Sequence, residues 1–231
     1  MLKPMFSTVA ETYDLSNKVL TFGLDKRWRK ACAKQSTDGH FMVDLCCGTG
    51  DLSLSLMKNL KDDSFLLGLD FSKEMLSKAI IKKSKSKWAN KDNFAFVIAD
   101  AAHLPLKNDS VDTVKISFSF RNLIYRNPNA TSYLEEVARM LKHNGNFTCV
   151  ETSQPRNRFV RSFFHFYCIR LVPLVGGWVS GAKPAYKYLG KSAANFPPPK
   201  EIMEMLKKAG FGDTSFKPLS FGVVGLYTAT K

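Results

Sequence analysis

The sequence predicts an α/β protein, a mostly parallel doubly wound sheet with a terminal antiparallel hairpin. Three observations carry that expectation. Apolar strand-like runs alternate with runs of helical period from "HFMVDLC" to "HNGNFTCVET". The links between them are short, so successive strands run parallel and helices cover both faces. The last two strand-like runs, "DTSFKPLS" and "GVVGLYTATK", follow one another across a short turn and pair antiparallel at the sheet edge.

The elements follow in order. A polar, helical N-terminal segment precedes "HFMVDLC", a short buried strand. "DLSLSLMKNL" carries Leu52, Leu56 and Leu60 at a four-residue spacing, a helical period. "SFLLGLD" is the second strand. "SKEMLSKAIIKKSKSKW" opens with Ser72 as N-cap and sets Met75, Leu76, Ala79 and Ile80 on one face. "NFAFVIAD" and "DTVKISFSF" are the third and fourth strands. "ATSYLEEVARML" is a helix, and "HNGNFTCVET" turns into the fifth strand. "PPPKEIMEMLKKAGF" is a Pro-started helix closed by Gly210.

One domain, 1–231, suits this length, and the apolar fraction of 45% excludes a disordered chain. The net charge of +14 favours phosphates, an anionic membrane surface or anionic substrates as partners. The five cysteines, Cys32, Cys46, Cys47, Cys149 and Cys168, are odd in number, and no pair has zinc-knuckle spacing. Reduced thiols, no metal and a cytoplasmic location are expected. The N-terminus lacks the apolar core of a signal peptide. The segment "FVRSFFHFYCIRLVPLVGGWVSG" is the most apolar stretch. Arg161 and Arg170 interrupt it, and Pro173 with Gly176 and Gly177 is expected to break a helix. It is expected to lie on a membrane or line an apolar pocket, and not to cross a bilayer.

The stretch "VDLCCGTGDLS" carries the first functional signal. It stands at the carboxyl end of the first strand, where open α/β sheets bind ligands. Gly48 and Gly50 permit a tight turn and close approach of a ligand to the backbone. Asp44, ahead of the turn, is placed to hold an ammonium group directly or through water. The dinucleotide fingerprint needs a third glycine where Ser53 stands, and an acid ahead of the loop is badly placed for a pyrophosphate. Asp70 ends the second strand, where a carboxylate can accept both ribose hydroxyls. Asp100 ends the third, near the place of an adenine ring. An amino-acid head, a ribose and an adenine together make S-adenosylmethionine. Its sulfonium charge also explains a loop without lysine or arginine. Cys46 and Cys47 are read as small residues tolerated beside it.

Four stretches carry a wider resemblance. They are "YDLSNKVLTFGLDKRWRK", "VDLCCGTGDL", "ISFSFRNL" and "AYKYLGKSAANFPPPKEIMEMLKKAGF". Over nearly its whole length the chain resembles the ubiquinone and menaquinone biosynthesis C-methyltransferases. The resemblance implies a seven-stranded class I S-adenosylmethionine-dependent methyltransferase fold and methylation of a ring carbon on a prenylated quinol. S-adenosylhomocysteine is then the by-product. Carried onto matching positions, it implies cofactor contacts at Thr49, Asp70, Asp100, Ala101 and Ser117. Two stretches depart from the family pattern. "KSAAN" stands where the family reads "ESIR", and "LSFGVVGLYT" stands where it often reads "LTGGIVALH".

Carbon methylation requires an electron-rich ring, alignment of donor and acceptor, and loss of a phenolic proton. Arg121 and Asn122 of "SFRN" are the candidate catalytic residues, for a phenolate and a ring oxygen. Tyr13, Tyr186 and Tyr188 are candidate substrate contacts, with Tyr13 and Asp14 in an N-terminal lid, residues 1–38. Residues 153–198 form a helical, aromatic insert near the substrate pocket. His103 is read as a loop histidine with no chemical role. A prenylated substrate brings the enzyme to the inner face of a membrane as a peripheral protein. Lys78, Lys82, Lys83, Lys85, Lys87 and Lys91 are either a lipid-binding stretch or a solvated helix face. A homodimer is left open. A rival acceptor, such as a sterol, a polyketide or another naphthoquinone position, keeps fold and cofactor. An RNA methyltransferase would need aromatics interleaved with the basic run, and only Trp88 is there, so no nucleic-acid partner is expected.

Overall fold

A computed structural model describes residues 2–35 and 39–231. Met1 and residues 36–38, the ends of the expected lid segment, lie outside the described residues. Seven strands form one sheet in the order β3-β2-β1-β4-β5-β7-β6. The strands are β1 (Phe41–Leu45), β2 (Phe65–Asp70), β3 (Phe94–Ile98), β4 (Val111–Ser117), β5 (Leu141–Thr152), β6 (Thr214–Leu219) and β7 (Val224–Thr230). Strands β1 to β5 pair parallel, and β7 runs antiparallel to both β5 and β6. The alternating pattern and terminal hairpin expected from the sequence are therefore observed.

Three N-terminal helices, α1 (Leu2–Val9), α2 (Tyr13–Leu20) and α3 (Asp25–Ala33), precede the sheet. The covering helices include α4 (Asp51–Leu56), α5 (Lys73–Ser84), α6 (Phe120–Ile124) and α7 (Ala130–Met140). The Ser72 side chain accepts from the Met75 N–H and caps α5, as its position predicts. The sequence pattern does not separate α6 from the end of the fourth strand. Central strands are buried on both faces, with Val43, Leu45, Val114, Ile116 and Cys149 all in the core. Lys115 is an exception in that apolar core. Its Nζ donates to the carbonyls of Cys32 at 3.0 Å and Gln35 at 2.6 Å, so it caps the end of α3 and ties it to β4.

Beyond β5 the chain differs from expectation. Helix α8 (Arg158–Phe166), a π-helical turn (Tyr167–Leu171) and α9 (Val172–Ser180) form one continuous run, Arg158–Ser180. Pro173 does not break it, because the π turn just before it absorbs the missing N–H and the ring's bulk. By length and composition alone this is the one helix among the described residues long and apolar enough to cross a membrane. It packs against α10 (Lys183–Ala194) and α2. The packing of α10 against α9 and the π turn depends on two glycines. A Cβ on Gly176 would sit 2.3 Å from the Tyr186 ring, and one on Gly190 would sit 1.9 Å from the Cys168 carbonyl oxygen. Helix α11 (Pro199–Lys208) then leads, through Gly210 at φ 96°, into the hairpin.

The basic run of α5 is also not a free surface. Lys82 bonds Asp14, Asp51 and Thr49, Lys78 pairs with Glu11, Lys91 with Asp62, and Lys83 donates to the carbonyls of Lys91 and Phe94. Four of the six lysines thus have partners within the fold.

Candidate active site

Two cavities lie side by side beyond the carboxyl ends of the central strands. The more polar one, of about 820 Å³, is lined by Cys46, Gly48, Asp70, Phe71, Asp100 and Ala101, among others. The apolar one, of about 630 Å³, is lined by residues from α2, α3, α8, α10 and the β6–β7 turn. Phe6, Tyr13, Asn122 and Tyr188 belong to both linings and form the wall between them.

The polar cavity is built by the turn after β1. Cys46 and Gly48 have φ of +54°, and Gly50 has +81°. The space before Gly48 is open, so its backbone can meet a ligand. At Gly50 a Cβ would stand 3.0 Å from Phe96 and 3.1 Å from Ala79. Gly50 therefore serves turn geometry and helix packing, not ligand approach. Asp70 accepts from the Gly48 N–H at 2.8 Å and the Ser72 N–H at 2.9 Å. Burial pushes its carboxyl above the usual range. Asp100 accepts from the Ala102 N–H at 2.9 Å and stays exposed at the cavity rim.

Four expected cofactor residues stand outside the cavity lining: Asp44, Thr49, Gly50 and Ser117. Asp44 is fully buried behind the turn. Its Oδ2 accepts from Ser53 Oγ at 2.5 Å, and its Oδ1 has no partner among the described residues. Burial pushes its carboxyl up to about 7. Asp44 therefore stands behind the turn and not on the cavity wall. Thr49 is engaged elsewhere. It donates to Asp14 at 2.7 Å and accepts from Lys82 at 2.9 Å, and Lys82 reaches Asp14 and Asp51 at 2.6 Å. This cluster latches α2 to the glycine turn. Ser117 presents only its carbonyl, which accepts from Ser119 Oγ at 3.4 Å.

Arg121 and Asn122 fall side by side on α6, and both are buried. Arg121 lines the apolar cavity. Its Nη1 donates to Glu151 Oε1 at 2.9 Å and to the Phe118 carbonyl at 3.1 Å, and its Nε donates to Ser192 Oγ at 3.1 Å. Only Nη2 lacks a partner among the described residues. Glu151 ends β5, is fully buried, and also accepts from the Arg121 backbone N–H at 3.1 Å. It was missed in the sequence, although an acid at a strand end was the signal already used for Asp70 and Asp100. Ser192 lies within "KSAAN", the stretch that departs from the family pattern. Asn122 Oδ1 is buried and has no partner among the described residues.

Tyr186 lines the apolar cavity and Tyr188 lines both, and burial raises both hydroxyls above the ordinary range. His103 is exposed and lines neither cavity. All five cysteines are free thiols, and burial holds Cys46 and Cys47 well above the ordinary range, where a thiolate nucleophile does not form.

The polar cavity fits S-adenosylmethionine. It offers the open backbone at Gly48 and the carboxylates of Asp70 and Asp100. Its size lies in the range of small-molecule sites. Solved structures share the fold. A methyltransferase from Thermotoga maritima, described as a possible histamine N-methyltransferase, matches with a TM-score of 0.69 at 16% identity, covering 100% of both chains. An Aquifex aeolicus SAM-dependent methyltransferase matches at 0.56 and 16%, over 84% of this chain and 82% of that one. Fold and site thus define an S-adenosylmethionine-dependent methyltransferase.

The sequence narrows the class further. The whole length, residues 1–231, matches the ubiE/COQ5 methyltransferase family, and the chain belongs to it. It is 35% identical to the Rickettsia felis ubiquinone/menaquinone biosynthesis C-methyltransferase UbiE, over 100% of this chain and 92% of that protein. The protein of that name from Geobacter sulfurreducens is 33% identical, over 100% and 88%.

Proposed function

We propose that the chain methylates a ring carbon of a prenylated quinol, converting a demethylmenaquinol to a menaquinol, or the equivalent ubiquinol precursor. One observation carries this reading. A polar cavity suited to the cofactor and an apolar cavity suited to a lipophilic acceptor share a single wall, and Asn122 stands in it. The names of the related proteins point to the same pathways.

S-adenosylmethionine, when bound, supplies an electrophilic methyl group on a sulfonium. The chain's residues do the rest. Gly48, Asp70, Asp100 and Ala101 would hold the cofactor, with the Asp70 carboxylate available to ribose hydroxyls. Asp44 holds the turn from behind through Ser53. Asn122 Oδ1 accepts from a quinol hydroxyl and fixes the ring against the shared wall. The Arg121 guanidinium, held by Glu151 and Ser192, stabilises the phenolate that forms as a water takes the phenolic proton. Tyr13, Tyr186 and Tyr188 pack on the ring. The lid, latched through Asp14, Thr49 and Lys82, excludes water. The protein works in the cytoplasm as a peripheral enzyme at the inner membrane face, without a metal.

The decisive requirement is an electron-rich ring. Purified protein with methyl-labelled cofactor transfers label to reduced demethylmenaquinone or the reduced ubiquinone precursor. It leaves the oxidised quinones unlabelled. Equal labelling of oxidised and reduced forms, or of neither, removes this reading.

A further inference from the structure

The apolar cavity opens on a surface with unusual character. Phe22, Phe163 and Phe221 line that cavity and are nevertheless exposed, Phe22 by 82% and Phe221 by 89%. They ring its mouth. Phe221 holds this place with a left-handed backbone at φ 59°. The helical run Arg158–Ser180 continues the same surface. Cys168, Val172 and Gly176 on one side face the protein, while Phe159, Phe166 and Trp178 stand in solvent on the other. Such a face is far more apolar than a water-facing helix tolerates without a partner.

The charge around it selects the partner. Between Glu151 and Glu201 the sequence has eight lysines and arginines and no aspartate or glutamate. All eight are exposed. Arg158, Arg161 and Arg170 lie on the aromatic helix itself, and Lys183 and Lys187 on the helix packed beside it. Aromatic residues on one face, cations at its flanks and a mouth between them match an anionic lipid leaflet. A protein partner would not require so uniform a sign.

We infer that the helix Arg158–Ser180, with Phe22 and Phe221, docks in the plane of an anionic bilayer and sets the mouth of the apolar cavity against the acyl chains. A lipid-borne acceptor then enters from the leaflet without crossing water. This rests on the prenylated-quinol reading for its purpose, but vesicle binding needs no acceptor, so the two can fail separately.

The test uses the full chain and vesicles of phosphatidylcholine with or without phosphatidylglycerol. The protein floats with the anionic vesicles, loses binding as salt rises, and binds neutral ones weakly. Of the three tryptophans only Trp178 is exposed, at 88%. Its emission shifts to the blue on binding and is quenched by spin-labelled lipid. The triple substitution F159S/F166S/W178S touches no residue of either cavity lining. It lowers partitioning on the order of 100-fold or more. It keeps methyl transfer to a detergent-soluble short-tailed quinol while losing transfer to the same quinol ring in bilayers.

Several results overturn the inference. The triple variant floats like the wild type, or Trp178 stays in water while the protein is bound. The bound protein resists alkaline extraction, which marks a spanning helix. Trp178 becomes buried without vesicles as protein concentration and mass rise together, which marks a contact between two copies. If vesicles bind as expected and no quinol takes label, the docking face stands and the quinol reading alone falls.

Discussion

Glu151→Gln isolates the buried pair that holds Arg121. Glu151 is fully buried and accepts from the Arg121 guanidinium and backbone N–H and from the Thr152 N–H and hydroxyl. Glutamine keeps the shape and removes the charge. Its amide nitrogen must face either the guanidinium or the Arg121 N–H, so a donor meets a donor, at about 1–3 kcal/mol. The guanidinium also loses its counter-charge in a site with 7% side-chain exposure. Removing one partner of a buried pair costs about 3–5 kcal/mol in all. In a chain of this size that lowers Tm by roughly 6–20 °C. Urea unfolding followed by circular dichroism reads the loss, with an unchanged slope showing that the two end states are comparable. Ser192→Ala removes one hydrogen bond to the same guanidinium and costs less, about 1–3 kcal/mol. The double change Arg121→Met with Glu151→Leu recovers much of the stability but none of the methyl transfer. The reasoning is refuted if Glu151→Gln stays within about 0.5 kcal/mol of wild type, or if the double variant remains active.

Asp44 makes stability fall with pH. The folded carboxyl keeps its proton up to about 7, whereas the unfolded chain releases it near its ordinary 3.8, so the folded state gains from the extra proton between those values and loses that gain as pH rises. The difference between wild type and Asp44→Asn, taken by urea titration without cofactor, changes by up to roughly 4 kcal/mol across that window. A flat difference rejects the burial argument. Gly190→Ala puts a Cβ 1.9 Å from a backbone oxygen that cannot rotate away, so it destabilises by about 2 kcal/mol or more. A variant that melts with the wild type shows that the contact of α10 with the π turn is loose. Asp14→Ala opens the latch to Thr49 and Lys82. Because Asp14 is 43% exposed, the loss in cofactor affinity by calorimetry is modest, about fivefold or less, with unchanged melting.

Much of the fold was legible because its signals are local. Parallel strands buried on both faces read as apolar runs, helices as a period, and Ser72 as a cap immediately ahead of its helix. The strand-end acids at Asp70 and Asp100 were legible for the same reason, since strand ends become the site by topology. What was not legible depended on distant partners. Thr49 matched a cofactor position but is turned toward Asp14 of the lid and Lys82 of α5, which only the fold brings near. Glu151 stands thirty residues from Arg121 and meets it because β4 and β5 are neighbours. Pro173 signals a break, and the π turn that neutralises it has no sequence mark of its own. The lysines of α5 looked like a free patch because their acidic partners lie on other elements.

Methyl transfer to carbon across the wall between the two cavities is tested most directly by locating the label. The wild type and Asn122→Ala are incubated with methyl-labelled S-adenosylmethionine and reduced demethylmenaquinone in lipid, and the product is fragmented by mass spectrometry. A ring-carbon methyl in the wild type, with a loss of roughly 100-fold or more for Asn122→Ala at unchanged cofactor affinity, is the expected result. Label on a ring oxygen, or equal rates in the two proteins, would contradict it.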